Sequence, residues 1–153
     1  MQNSFYSTTS YLILLLFLSC NPIGLKVIST QEINTWATEE GVIFEDIQID
    51  SNDQLVIILE YSNDYDFENI YLKMIVSSDD QAIIEEDVFS IQLLDENGKW
   101  IGKTSGNHIK ILHPIDINNR LELDSPVHLE FFQYSRSKVL KHIKSLGIGR
   151  NSR

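Results

Sequence analysis

Ile70-Tyr71-Leu72-Lys73-Met74-Ile75-Val76 is the stretch on which the reading of this chain turns. Leu72, Met74 and Val76 fall on one side of an extended backbone, and Tyr71, Lys73 and Ile75 on the other. That period of two is the signature of a strand with one face against a core. Upstream, Leu55–Tyr61 is a nearly continuous apolar run, as expected of a strand covered on both faces. Before it, Val42–Ile49 ends in alternation, with Ile47 and Ile49 opposed to Gln48.

Downstream the same grammar continues. Asp87–Leu94 reads as a strand and is followed by Asp95-Glu96-Asn97-Gly98, where Asn-Gly supplies the positive φ angles of a hairpin turn. Trp100 and Ile101 begin the return strand, and further strands are expected at His108–Leu112, Arg120–Leu123 and Val127–Tyr134. Seven or eight short strands at this spacing predict an antiparallel sandwich or barrel. The fold expected is all-β, an antiparallel β-sandwich, with one short C-terminal helix.

That helix is expected at about residues 135–146. Val139, Ile143 and Leu146 stand at i, i+4 and i+7, Leu140 widens the stripe, Ser135 is placed to cap the start, and Gly147 sits where a helix ends. Its polar face would carry Arg136, Lys138, Lys141 and Lys144. Charge is strongly uneven: residues 131–153 hold six of the 12 basic residues and none of the 22 acidic ones. A basic helix could simply relieve the self-repulsion of an acidic sheet. It could equally dock on an acidic partner or an anionic leaflet, with Arg136, Lys138, Lys141 and Lys144 as the contact.

The N-terminus sets the location. Tyr11–Leu18 is an eight-residue apolar run, too short to span a bilayer core of roughly 30 Å. It fits the apolar core of a secretory signal and leads into Ser19 and the chain's one cysteine, Cys20. This arrangement is similar to a bacterial lipobox, in which the signal is removed before the cysteine and its thiol is acylated. A plain secretory signal with a free thiol is the other reading. Residues 1–10 contain no Lys or Arg, so the positive charge before the apolar run rests on the α-amino group alone. The expected organisation is a signal over 1–19, a tether over 20–35 from lipidated Cys20, and a single domain over 36–153. Asn21 and Pro22 after Cys20, with no acidic run, favour the periplasmic side of the membrane.

Composition excludes several classes. The net charge of −10 disfavours binding to nucleic acid, and a single cysteine excludes a disulfide scaffold. No Gly-x-Ser-x-Gly elbow is present. Gly98-Lys99-Trp100-Ile101-Gly102-Lys103-Thr104 has three residues between its glycines where a phosphate-binding loop has four, and places an indole where phosphate would approach the backbone. His108, His113, His128 and His142 lack the i, i+4 pairing of a zinc helix. Asp64, Asp66 and Glu68 alternate but lack the glycine and distant glutamate of a calcium loop. No enzyme activity and no cofactor are expected.

Four stretches together carry a family resemblance. Trp36 and Phe44 are followed by Tyr61-Ser62-Asn63-Asp64-Tyr65-Asp66-Phe67-Glu68-Asn69-Ile70-Tyr71-Leu72, then Gly98-Lys99-Trp100-Ile101-Gly102, then Gln133-Tyr134-Ser135-Arg136 with Leu140, Ile143 and Leu146-Gly147-Ile148. In order and spacing these segments resemble the gliding-motility lipoprotein GldH family. Ser135 stands where that family usually has Met, and the Arg expected before the aromatic loop is missing. The resemblance implies a non-enzymatic component of the gliding apparatus, tied to type IX secretion, with other machinery proteins and the membrane as partners. It brings no catalytic, metal or cofactor residues.

Two functions then compete. One is a lipid-anchored scaffold or assembly factor, in which Trp36, Tyr65, Phe67 and Trp100 plug the core or the sandwich ends. The other is a lipid-anchored glycan- or peptidoglycan-binding module with Tyr65, Phe67 and Trp100 as a stacking platform. The platform demands at least two of these rings exposed and coplanar; the scaffold expects them buried.

Overall fold

The computed structural model describes residues 25–49, 53–117 and 126–152. Every regular element among them is a strand: β1 (Leu25–Glu32), β2 (Thr35–Ala37), β3 (Val42–Ile47), β4 (Asp53–Ser62), β5 (Asn69–Ser77), β6 (Ile83–Gln92), β7 (Lys103–Ser105), β8 (His108–Ile115), β9 (Val127–Gln133), β10 (Val139–Lys141) and β11 (Ile143–Ser152). A five-stranded sheet runs β1-β11-β4-β8-β7 and a four-stranded sheet runs β3-β9-β5-β6, while β10 and β2 form a separate pair. All pairings are antiparallel.

The two larger sheets face each other across one core. From the five-stranded sheet come Leu55, Ile57, Leu59 and Tyr61 of β4 with Leu146 and Ile148 of β11; from the four-stranded sheet come Ile70, Leu72, Met74 and Val76 of β5 with Leu129 and Phe131 of β9. The period of two in β5 thus does what the sequence implies: alternate residues enter the core. Phe44 and Phe131 meet edge to face at 6.0 Å within it.

The apolar run of β4 fills two faces by different means. Val56 and Ile58 point away from the core, yet both are buried. Across the sheet they pair with Gly149 and Gly147 of β11. A Cβ on Gly149 would lie 2.8 Å from Leu25 Cδ1 and 3.2 Å from Ile58 Cδ1; one on Gly147 would lie 3.0 Å from the Ser29 carbonyl oxygen. The missing side chains leave room for neighbours on β1 and β4 to close over the strand between them.

The expected C-terminal helix is not present. Residues 139–152 form β10 and β11, and the segment between β9 and β10 is a turn. The helical spacing of Leu140, Ile143 and Leu146 has two local causes. His142 adopts a positive φ of 66° between the two strands, and a bulge shifts the register between Ile143 and Ser145. Each irregularity inserts one residue into a period of two, so inward positions recur every three residues. Gly147 is not a cap but lies inside β11.

Other boundaries move less. Residues 25–32, within the stretch expected as a tether, form β1 and pair with β11. The return expected at Trp100 and Ile101 is a single bridge between Leu94 and Trp100. The turn before it is held by Asp95, whose Oδ1 accepts from the backbone N–H groups of Asn97 and Lys99 at 2.8 and 2.9 Å. Gly98 sits there at φ +74°. The strand expected at Arg120–Leu123, the signal segment and Cys20 lie outside the described residues.

Candidate functional site: an aromatic cavity beside Arg136

The loop between β4 and β5 carries Tyr65 and Phe67, and the turn between β9 and β10 carries Arg136. Gln133, the last residue of β9 and 1% exposed, organises that turn. Its Nε2 donates to the Ser137 carbonyl oxygen at 2.9 Å, and its Oε1 accepts from Ser135 N–H at 3.0 Å and from Ser135 Oγ at 2.6 Å. A buried amide needs such partners, and here they come from the next five residues, with a longer bond to the Lys138 carbonyl oxygen at 3.5 Å. The Tyr134 N–H donates to the Tyr71 carbonyl oxygen at 2.8 Å, pinning the start of the turn to β5.

The rings singled out in the sequence form a stepped series. Tyr61 meets Trp100 at 5.5 Å and 63° and Tyr65 at 6.2 Å and 62°; Tyr65 in turn meets Phe67 at 5.6 Å and 68°. These are edge-to-face contacts, a favoured geometry for packed aromatic side chains. Tyr65 is 5% exposed, Phe67 46%, and Trp100 is half-buried against the core. The Tyr61 hydroxyl donates to the Ile101 carbonyl oxygen at 2.9 Å. Tyr65, Phe67 and Trp100 therefore do not make one flat exposed surface.

Phe67 instead joins residues that sequence reasoning did not single out. Phe67, Tyr71, Val88 and Tyr134, with Tyr65 and Arg136, line a cavity of about 540 Å³ that opens on the outer side of the four-stranded sheet. Tyr71, Val88 and Tyr134 are 45%, 46% and 60% exposed. Tyr71 was readable as the side of β5 away from Leu72 and Met74, and Val88, opposite Lys73 on β6, is its diagonal neighbour on that face; the turn that brings Tyr134 and Arg136 alongside was masked by the helical spacing that follows it.

The electrostatics of the cavity are simple. Among the described residues Arg136 is its one charged lining residue, and it makes no ion pair or hydrogen bond with any of them. The Tyr65 hydroxyl is buried without a hydrogen-bond partner. Burial, and next the nearby Asp66 carboxylate, push its pKa well above the usual tyrosine value. It stays a protonated donor at any physiological pH.

The remaining basic candidates do not line the cavity. Lys138 lies in the turn, Lys141 on β10, and both are exposed. Lys144, at the β11 bulge, has Nζ 3.2 Å from His108 Nε2. Without a helix, no single helical face gathers the four.

Among the described residues, Asp46, Asp79 and His128 bring ligand-type atoms within 4.8 Å of one another. The Asp46 N–H donates to His128 Nδ1 at 3.4 Å, and His128 Nε2 lies 3.4 Å from Asp79. Both ring nitrogens of His128 are thus engaged within the trio. The trio links the β3 bulge to the β5–β6 turn. Asp64, by contrast, accepts from Ser62 Oγ at 3.2 Å within its own turn.

Compared with known proteins, residues 26–149 match a family model described as GldH lipoprotein. No curated protein and no solved structure matches the chain.

Proposed function

The chain belongs to the GldH lipoprotein family, and from that premise we propose that it is a membrane-anchored, non-enzymatic part of the bacterial gliding-motility machinery that acts as a scaffold or assembly factor. In this reading acyl chains on Cys20 hold the β-sandwich at the periplasmic side of a membrane, where it meets other proteins of the gliding and type IX secretion apparatus.

The observation that carries the reading is the cavity between the β4–β5 loop and the β9–β10 turn. Exposed Phe67, Tyr71, Val88 and Tyr134 form one contiguous apolar lining, a feature that marks a surface meant to meet a partner. The polar serines beside it, Ser135 and Ser137, already spend their hydroxyls on Gln133 Oε1 and the Val139 carbonyl oxygen. A lining of this kind suits protein contact more than a sugar, which needs many free hydrogen-bonding groups and a flat ring to stack on. Lys138 and Lys141, exposed on the same stretch as Arg136, extend a positive surface that an acidic partner would meet.

The test replaces the gene in a gliding bacterium by a Cys20→Ser version. Loss of colony spreading, with the protein shifted to the soluble fraction, is the expected result. Wild-type spreading by cells whose protein is soluble would reject an anchored role.

A further inference from the structure

Among the described residues, the aromatic cavity is lined by one cation, Arg136, set against apolar and aromatic side chains. Arg136 presents a guanidinium with no acidic neighbour bound to it. Tyr65, 5% exposed, contributes to the lining through its ring, which packs edge to face on Phe67. The group that best satisfies an exposed guanidinium is a carboxylate. The rest of the lining is apolar and aromatic, shaped for a hydrophobic side chain.

We infer that this cavity is a docking site for an extended segment of a partner protein, which inserts an aromatic or large aliphatic side chain between Phe67, Tyr71 and Tyr134 and sets a neighbouring carboxylate on Arg136. The inference rests on the assembly reading above for taking the occupant to be a protein, and deepens it by naming the chemistry of the partner. Charge complementarity favours this occupant: one cation stands in a lining that is otherwise neutral, on a chain of net charge −10 whose acidic residues all lie before residue 131. The geometry disfavours a glycan. The Tyr65 and Phe67 rings stand at 68°, and the two serine hydroxyls are engaged. Asn69 is the remaining uncharged polar side chain in the lining other than the tyrosines. Gln133 acts here as a positioning residue, because its bonds to Ser135 and Ser137 flank Arg136 on both sides.

The experiment uses the full lipidated chain in lipid nanodiscs, labelled with 3-fluorotyrosine, so that Tyr71 and Tyr134 report directly by fluorine NMR. The probes are the peptide acetyl-Ser-Phe-Glu-Ser-amide, its Phe-to-Ser and Glu-to-Gln versions, and an N-acetylglucosamine pentamer. The expected result is a saturable shift of the Tyr71 and Tyr134 resonances with the first peptide. Loss of a charge-assisted hydrogen bond weakens binding by about tenfold or more, and that loss is expected both for the Glu-to-Gln peptide and for the Arg136→Gln protein. Shifts produced by the sugar and not by the peptide would overturn the proposal in favour of a glycan site. Peptide shifts that Arg136→Gln leaves unchanged would overturn it too. If no probe moves these resonances while the Cys20→Ser strain has lost spreading, the cavity proposal falls and the assembly reading stands.

Discussion

Gln133 and Ser137 are four residues apart in sequence and are joined side chain to backbone, Nε2 donating to the carbonyl oxygen at 2.9 Å. Together with the two bonds that Ser135 gives to Gln133 Oε1, this makes the turn after β9 a closed loop around one buried amide. Arg136 sits at its tip. The cavity's one charge among the described residues is thus held by an arrangement that belongs to the fold, which is why the site and its stability are coupled.

Gln133→Ala is expected to remove all of these bonds and leave the Ser135 and Ser137 groups without their partner. The cost expected is about 1–3 kcal/mol, read by chemical denaturation. A change within error would mean that the turn is held by Tyr134 and β10 alone.

Tyr61 and Tyr65 are neighbours in space with opposite bonding. Tyr61→Phe loses the bonds to the Ile101 and Leu93 carbonyl oxygens and is expected to cost about 1 kcal/mol. Tyr65→Phe removes a buried hydroxyl that has no partner and is expected to leave stability unchanged or raised. Burial pushes the Tyr61 pKa up from 10.0 to about 12. Below pH 10 the hydroxyl is neutral both folded and unfolded, and its contribution to stability is complete. As pH rises from 10 towards 12 the unfolded chain ionises first, and that stability is lost. Denaturation midpoints measured across this window are expected to fall more steeply for the wild type than for Tyr61→Phe.

Gly147→Ala places a methyl 2.9 Å from Thr30 Oγ1 and 3.0 Å from the Ser29 carbonyl oxygen. Overpacking of this kind costs about 1–3 kcal/mol, because the backbone of β1 must give way. Gly98→Ala introduces no such contact, and its cost comes only from the positive φ. Thermal melts of the two variants side by side separate crowding from backbone strain.

Lys138, Lys141 and Lys144 changed together to Gln are expected to shift the melting temperature little. Exposed charges contribute less than about 1 kcal/mol per pair. On the assembly reading the triple variant weakens recovery of partner proteins, and more so at low salt, where the loss of attraction is least screened. Equal recovery at low and high salt would remove these lysines from the contact.

Much of the strand order was legible: β5 and β9 lie where period-two alternation puts them, β4 where the continuous apolar run does, and β8 covers the strand expected at His108–Leu112. Alternation failed where the backbone is irregular. Positive φ at His142 and the bulge beyond Ile143 turn two strands into a helix-like spacing, and the glycines of β11 removed the β-branched residues that would have flagged a strand. The first strand was hidden differently: Leu25–Glu32 lies at an edge, with Lys26, Gln31 and Glu32 exposed, so it alternates weakly. At the site, Tyr65, Phe67 and Arg136 were readable as residue types. Their meeting with Tyr71, Val88 and Tyr134 depends on pairings between β5, β6 and β9, which local pattern does not encode.

The central claim is that the cavity face is what the gliding machinery contacts. Its most direct test is colony spreading by a strain whose chromosomal copy carries Phe67→Ser with Arg136→Gln, two exposed positions whose loss leaves the core intact. The account predicts wild-type abundance in the membrane fraction together with loss of spreading. Wild-type spreading at wild-type abundance would contradict it.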